Sequence, residues 1–221
     1  KEFNEIESRS CPGCGACGGM YTANTMASAI EALGMSLPGS AAHSAVDRKN
    51  QISKKKQNDC KKTVAALFSL LESGIRARDI LTFPAFENAI TVVLALGGST
   101  NAVLHLLSVA HEMGIPLSID DFDRVSAKTP LLGDLKPGGR FVATDLYQAG
   151  GIRLVVKRLL DAKILNADCV TVTGKTIGEE AKTAKETPNQ KVVRPLNDPL
   201  KPTGGLVILK GNLAPDGCVL K

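Results

Sequence analysis

Three thiols stand close together near the start of the chain: Cys11, Cys14 and Cys17, within S-C-P-G-C-G-A-C-G-G. The thiolate is the form of cysteine that binds soft metals and attacks electrophiles, and it is stabilised by backbone N–H groups and by the positive end of a helix dipole. Gly13, Gly15, Gly18 and Gly19 separate and follow these cysteines. Glycine accepts positive φ angles and lets the backbone come close to a ligand. A helix-like run follows directly, so the stretch reads as a metal or reactive-thiol site set on a helix start. The competing reading is small cysteines packed in a Gly-rich turn, the commoner role for a single cysteine. Three so close together, among small residues, move the balance toward chemistry.

The element that must carry this loop is the run after it, in which Met26, Ala29, Ile30 and Leu33 recur at i, i+3, i+4 and i+7. That spacing predicts a helix with one apolar face, capped near Thr22 or Asn24 and closed by Gly34. The cysteine spacing itself is that of a bacterial ferredoxin cluster run, but such a run needs a fourth cysteine followed by proline, and Tyr21 and Thr22 stand there. A zinc site would need a second pair of ligands, which Cys60, Cys169, Cys218 and the three histidines do not form.

At this point a family resemblance is visible. C-P-G-C-G-A-C-G-G-M-Y-T-A-N-T-M resembles the corresponding segment of the dihydroxy-acid, phosphogluconate and sugar-acid dehydratase family. So do F-E-N-A-I-T-V-V-L-A-L-G-G-S-T-N-A-V-L-H-L, D-L-K-P-G-G-R, D-C-V-T-V-T-G-K-T and K-P-T-G-G-L-V-I-L-K-G-N-L-A-P, in the family's order and over nearly the whole chain. The resemblance implies a hydro-lyase of valine and isoleucine biosynthesis that dehydrates 2,3-dihydroxy carboxylic acids to 2-keto acids, with sugar-acid dehydratases as close alternatives. It implies an iron-sulfur cluster, two-iron or four-iron, with Mg2+, the cluster iron acting as Lewis acid on the departing hydroxyl. The cysteine before G-G-M-Y-T-A-N-T-M is a cluster ligand in the family, which carries over to Cys17. Cys14 departs from the pattern, where a small residue or proline is usual, and the resemblance gives Cys11 no role. The other ligands belong to a C-D-K segment and before it, and the base is a serine in a T-D-G-R-F-S-G-like stretch. Cys60-Lys61-Lys62 is not the C-D-K motif, and no catalytic base is expected in this chain. The expectation is an internal piece of a longer enzyme, inactive alone, whose complete form is a homodimer acting on a small dihydroxy acid. Its compartment would be cytoplasmic in a bacterium and mitochondrial or plastid in a eukaryote.

Composition bounds the remaining classes. With 221 residues, 43% hydrophobic, the chain can bury a core. No stretch approaches the ~18 apolar residues of a membrane span, and K-E-F-N-E-I-E-S-R is too charged for a signal peptide. Six cysteines with three crowded in one loop fit a reducing compartment better than a secreted disulfide framework. A net charge of +5, without aromatic interleaving or an arginine stripe, does not argue for nucleic acid. Seven basic residues fall between Arg48 and Lys62, against the single acidic Asp59, and read as a solvated loop and helix face. The alternative class is a non-catalytic module binding an anion or a soft metal.

Further along, Val64, Leu67, Phe68 and Leu71 mark a helix closed by Gly74. Thr82 to Gly114 reads as two helices broken at Gly97-Gly98. The first carries Pro84 in its opening turn and a stripe of Phe86, Ile90, Val93 and Leu94; the second is capped by Ser99 or Thr100 with Val103, Leu106, Leu107 and Ala110 on its face. The G-G-S-T-N junction offers N–H groups, hydroxyls and an amide at a helix start, so Ser99, Thr100 and Asn101 are candidate contacts for the substrate's carboxylate, with plain capping as the alternative. His105 reads as a packing histidine. His111-Glu112 lacks the second histidine of a zinc-protease helix. Lys136 to Arg140 is a turn with two cations.

From Ile115 the pattern alternates: P-L-S-I as a strand, D-D-F-D-R-V as a helix, Gly150 to Lys163 as a helix with Leu154, Val155, Leu159 and Leu160, and Cys169-Val-Thr-Val as a strand. The fold class expected is α/β, a layered parallel or mixed sheet with helices on both faces. Four prolines between Lys185 and Gly205 read as a linker, and G-L-V-I-L-K and C-V-L-K as strands. By resemblance these begin a C-terminal β-barrel. The domains expected are residues 1–187, part of an N-terminal α/β cluster-binding domain, and 188–221, linker and first barrel strands.

Overall fold

The computed structural model describes residues 1–10, 14–47 and 49–221. Cys11 and Arg48 therefore lie outside the described residues. The helices are α1 (Glu2–Ser10), α2 (Thr22–Ala32), α3 (Lys54–Ser73), α4 (Ala77–Ile80), α5 (Phe83–Leu96), α6 (Asn101–Glu112), α7 (Ile119–Ser126), α8 (Ala143–Ala149), α9 (Gly151–Asp161) and α10 (Ile177–Ala181). Two strands, β1 (Val207–Gly211) and β2 (Ala214–Leu220), pair antiparallel, with Ile208 opposite Val219.

The centre of the fold is α5. Its sequence, F-P-A-F-E-N-A-I-T-V-V-L-A-L, is apolar but for Glu87, Asn88 and Thr91, and every residue from Asn88 to Leu96 is buried. A helix so largely apolar belongs inside a protein. Around it pack α2, α6, α7 and α9. One side joins Phe86, Ile90 and Leu94 to Ala29, Leu33, Leu106, Phe122 and Ile208; the other joins Val92 and Leu96 to Leu132, Ile152, Val155 and Leu159. Pro84 falls in the opening turn, where its missing N–H costs no helix bond, and Gly97 ends the helix at φ +62°. Both features match the sequence expectation, as does Gly74 at φ +68° after α3.

The layered parallel sheet is not found. Among the described residues the sheet is a single antiparallel hairpin, and the remaining pairings are isolated bridges. The P-L-S-I strand is a loop ending in the cap of α7, where Asp121 Oδ2 accepts from the Ser118 N–H at 2.9 Å. The Cys169-Val-Thr-Val strand is a turn, bridged only at Val170 to Thr176. Its β-branched residues carry hydroxyls with a local acceptor: Thr171 Oγ1 and Thr173 Oγ1 both donate to Glu180 Oε1, each at 2.6 Å. Side-chain bonds of this kind offer the backbone an alternative to a sheet ladder. The mixed α/β character expected survives as a mostly helical layer with a small hairpin.

The Pro-rich stretch after Lys185 is tied to the helical layer. Val192 and Val193 are buried, Asp134 N–H donates to the Val192 carbonyl, and the Arg158 guanidinium donates to the Val193 carbonyl at 2.7 Å. Beyond it, Leu206 and Ile208 enter the core beside α5 and α7.

Candidate functional site

Cys17 is half-buried, and its thiol points at the Gly19 carbonyl oxygen 4.0 Å away. Cys14 is exposed. Gly15 takes φ +103°, and a Cβ on it would lie 3.0 Å from Ala45 Cβ. A side chain there is strained by the backbone conformation and crowded by Ala45. The loop is held from three directions. Met20 N–H donates to the Lys136 carbonyl at 2.6 Å, Ala143 N–H to the Gly18 carbonyl at 2.7 Å, and the Asn24 amide to the carbonyls of Cys17 and Gly19 at 2.6 and 2.8 Å.

The N-cap of the helix beyond lies one residue before Thr22 and three before Asn24, the two expected caps. Tyr21 is the N-cap of α2 and makes no side-chain cap bond; Thr22 is the first helical residue, and Asn24 turns back to the loop instead of capping. Among the described residues the first-turn N–H groups of α2 have no side-chain acceptor, the arrangement that favours negative charge nearby. The apolar face is shared unevenly: Ala29 and Leu33 are buried, Met26 is half-buried and Ile30 is 37% exposed.

The structure brings the Gly-Gly junction to this same helix. Asn101 Nδ2 donates to Thr22 Oγ1 at 2.7 Å, and Ser99 N–H donates to Thr25 Oγ1 at 2.9 Å. Gly98 is what allows the approach, since a Cβ on it would meet Thr25 Cγ2 at 2.7 Å and Val93 Cγ1 at 2.8 Å. Thr100 is the N-cap of α6 but accepts no cap bond through its side chain; Ser99 Oγ accepts from Asn101 N–H at 3.3 Å. Ser99 and Asn101 are therefore bonded to the first turn of α2, the helix that follows the Cys17 loop. His105 is exposed on α6, not packed as expected.

The turn from Lys136 to Arg140 also abuts the loop through the Lys136 carbonyl. Its geometry is fixed by the buried Asp134, which accepts from Arg140 Nε at 2.6 Å and from Arg140 N–H at 3.0 Å. At the far end of α2, Glu31 accepts from Gly39 N–H at 2.7 Å and Ala41 N–H at 3.0 Å. Burial pushes its carboxyl up to about 7, against the lowering effect of those two bonds and of Arg153. Cys169 is half-buried and burial raises its thiol pKa, which suits an inert packing cysteine.

As one corner of a thiolate-held centre the Cys17 loop fits: a free, half-buried thiol on a Gly-rich turn before an uncapped helix start. As a whole site it does not, because among the described residues no three His, Cys, Asp or Glu side chains gather to hold a metal. The structural partners of Asn24 and Lys136 were not readable from local sequence; a carbonyl acceptor leaves no mark on residue type. Nor was the end-on meeting of α2 and α6, although the double glycine was its one visible sign.

Comparison with known proteins identifies the family. The model for the dihydroxy-acid/6-phosphogluconate dehydratase N-terminal region matches residues 1–180, and that for the C-terminal region matches residues 191–221. A dihydroxy-acid dehydratase of Mycobacterium avium is 56% identical over 222 aligned residues, covering 100% of this chain and 38% of that protein. Those of Koribacter versatilis and Oceanobacillus iheyensis are 56% and 54% identical, with 100% of this chain and 37% and 38% of each relative covered. The chain spans 38% of the length of the Mycobacterium relative. With its two regions matched in order over residues 1–180 and 191–221, the chain belongs to the dihydroxy-acid/6-phosphogluconate dehydratase family.

Proposed function

We propose that this chain is the part of a dihydroxy-acid dehydratase that supplies one cysteine ligand, Cys17, to an iron-sulfur cluster, and that the complete protein removes water from 2,3-dihydroxy carboxylic acids in valine and isoleucine biosynthesis. The overall change is loss of the proton on C2 and the hydroxyl on C3, giving an enol that tautomerises to the 2-keto acid. When bound, the cluster and Mg2+ supply Lewis-acid chemistry for the departing hydroxyl. The observation that carries the reading is the Cys17 loop, a free thiol whose neighbours are fixed by Met20, Asn24 and Ala143 in front of the uncapped start of α2. Ser99, Thr100 and Asn101 are proposed to lie near the substrate's carboxylate. Support comes from the bonds of Ser99 and Asn101 to α2.

The division proposed is a cluster-binding region over residues 1–187 and, over 188–221, a linker with the first strands of a β-barrel. The two matched regions and the antiparallel hairpin at the end of the chain support it. The complete enzyme is proposed to act as a homodimer. In the complete protein, reconstituted with iron and sulfide, Cys17→Ser is expected to abolish the cluster's visible absorbance and with it conversion of a 2,3-dihydroxy acid to its 2-keto acid. Loss of absorbance in Cys14→Ala with retention in Cys17→Ser would move the ligand to Cys14. The 221-residue chain alone is expected to give no turnover under the same reconstitution.

A further inference from the structure

We infer that Asn24 is the positioning residue of the Cys17 corner, turning the loop so that the sulfur is what it offers to a metal; this rests on the reading of Cys17 as a ligand. An asparagine near a helix start ordinarily accepts a bond from a first-turn N–H. Asn24 does the reverse. Both N–H groups of its amide are spent on the loop behind it, at 2.6 Å on the Cys17 carbonyl and 2.8 Å on the Gly19 carbonyl.

The carbonyl between them, that of Gly18, is taken by the Ala143 N–H at 2.7 Å. Three successive carbonyl groups are thereby committed to protein donors. The Met20 N–H that follows is itself spent on the Lys136 carbonyl at 2.6 Å, which ties the end of the loop to the neighbouring turn. The Gly19 oxygen matters most, because it is also the atom that Cys17 Sγ faces at 4.0 Å. An unengaged carbonyl oxygen at that distance would repel a thiolate; one already bonded to an amide donor repels it less. Space reinforces the geometry, since a Cβ on Gly19 would meet the Tyr21 ring at 2.5 Å and the Lys136 oxygen at 3.2 Å. Only glycine leaves room at this position for both the Tyr21 ring and the Lys136 oxygen.

The test uses the complete, cluster-loaded protein with Asn24→Asp and Asn24→Ala. Asn24→Asp keeps the shape but sets a carboxylate oxygen against two carbonyl oxygens; Asn24→Ala removes both bonds without adding charge. In each, release of iron to a ferrous chelator is expected to quicken by about tenfold or more, the loss of two hydrogen bonds. The electron paramagnetic resonance signal of the reduced cluster should also shift. In the metal-free protein, hydrogen exchange at Gly18, Gly19 and Met20 is expected to quicken by a similar factor, while exchange in α5 stays unchanged. Unaltered release and unaltered loop exchange in both variants would overturn the inference. A cluster retained in Cys17→Ser would instead overturn the ligand reading, leaving the exchange result to report on the loop alone. If Asn24→Asp does not fold, Asn24→Ala carries the test by itself.

Discussion

The helices α5 and α3 both carry apolar residues at helical spacing, and the fold treats them in opposite ways. Phe86, Ile90 and Leu94 of α5 are wholly buried. On α3, Val64, Leu67, Phe68 and Leu71 are 55%, 57%, 61% and 70% exposed, and no residue of the helix is buried. Ser53 caps α3 by accepting from the Lys56 N–H at 3.2 Å, and Gly74 closes it, so the helix is well begun and well ended. What it lacks within this chain is a surface to lie on. Periodicity therefore defines a face, while burial depends on whether the rest of the molecule reaches that face.

Three measurements can break or sharpen that contrast. The largest effect is expected for Phe86→Ala, which should destabilise the 221-residue chain by about 3–5 kcal/mol in urea unfolding, because it opens a cavity against both α2 and α7. A loss below about 1 kcal/mol would mean that the α5 packing described here is not what holds the fold.

A medium effect, on a buried polar group of the same core, is expected for Glu31. Its carboxyl is raised from 4.5 to about 7 in the folded chain, so the folded state binds the proton more tightly than the unfolded one. The stabilisation is complete below pH 4.5 and is lost as the pH rises through about 7, a swing on the order of 3 kcal/mol. Glu31→Gln should remove this slope, visible as a difference between the two unfolding curves across that range. Parallel curves would show that the carboxyl is hydrated in solution.

The smallest effect is expected for Phe68→Ser on α3, within about 0.5 kcal/mol of the parent chain. A cost near that of Phe86→Ala would show the α3 stripe to be covered in solution, and the contrast between the helices would disappear.

How much could be read in advance follows the same line. Helix ends were legible because Gly74, Gly97 and Gly114 take positive φ after their helices, a local requirement that sequence displays. The Cys17 loop was legible through residue type and spacing. The strands around Leu117 and Val170 were misread, since Ser118 there donates its N–H to Asp121 at a helix start and Thr171 and Thr173 donate to Glu180, partners that period-two patterning does not register. Asn24 was read as a cap for a similar reason: its bonds run back seven and five residues to carbonyls. Glu31 gave no sign at all, since nothing in an apolar helix face announces that one carboxylate will be enclosed with two backbone donors.

The seam between the hairpin's lead-in and the end of α5 has a meaning for how this sequence can vary. A Cβ on Gly205 would sit 2.6 Å from Gly97 Cα, and one on Gly204 would sit 2.6 Å from Ser126 Oγ and 3.0 Å from Leu94 Cβ. Every other amino acid carries that atom. At Gly205, where glycine faces glycine, there is no flexible side chain to give way, so any replacement must move backbone. Such a change would displace the hairpin from α5 or disturb the Gly97-Gly98 turn that lets α6 reach α2. Mutational drift at this seam is thus closed in one step, whereas the exposed stripe of α3 can change within this chain at little cost to its packing.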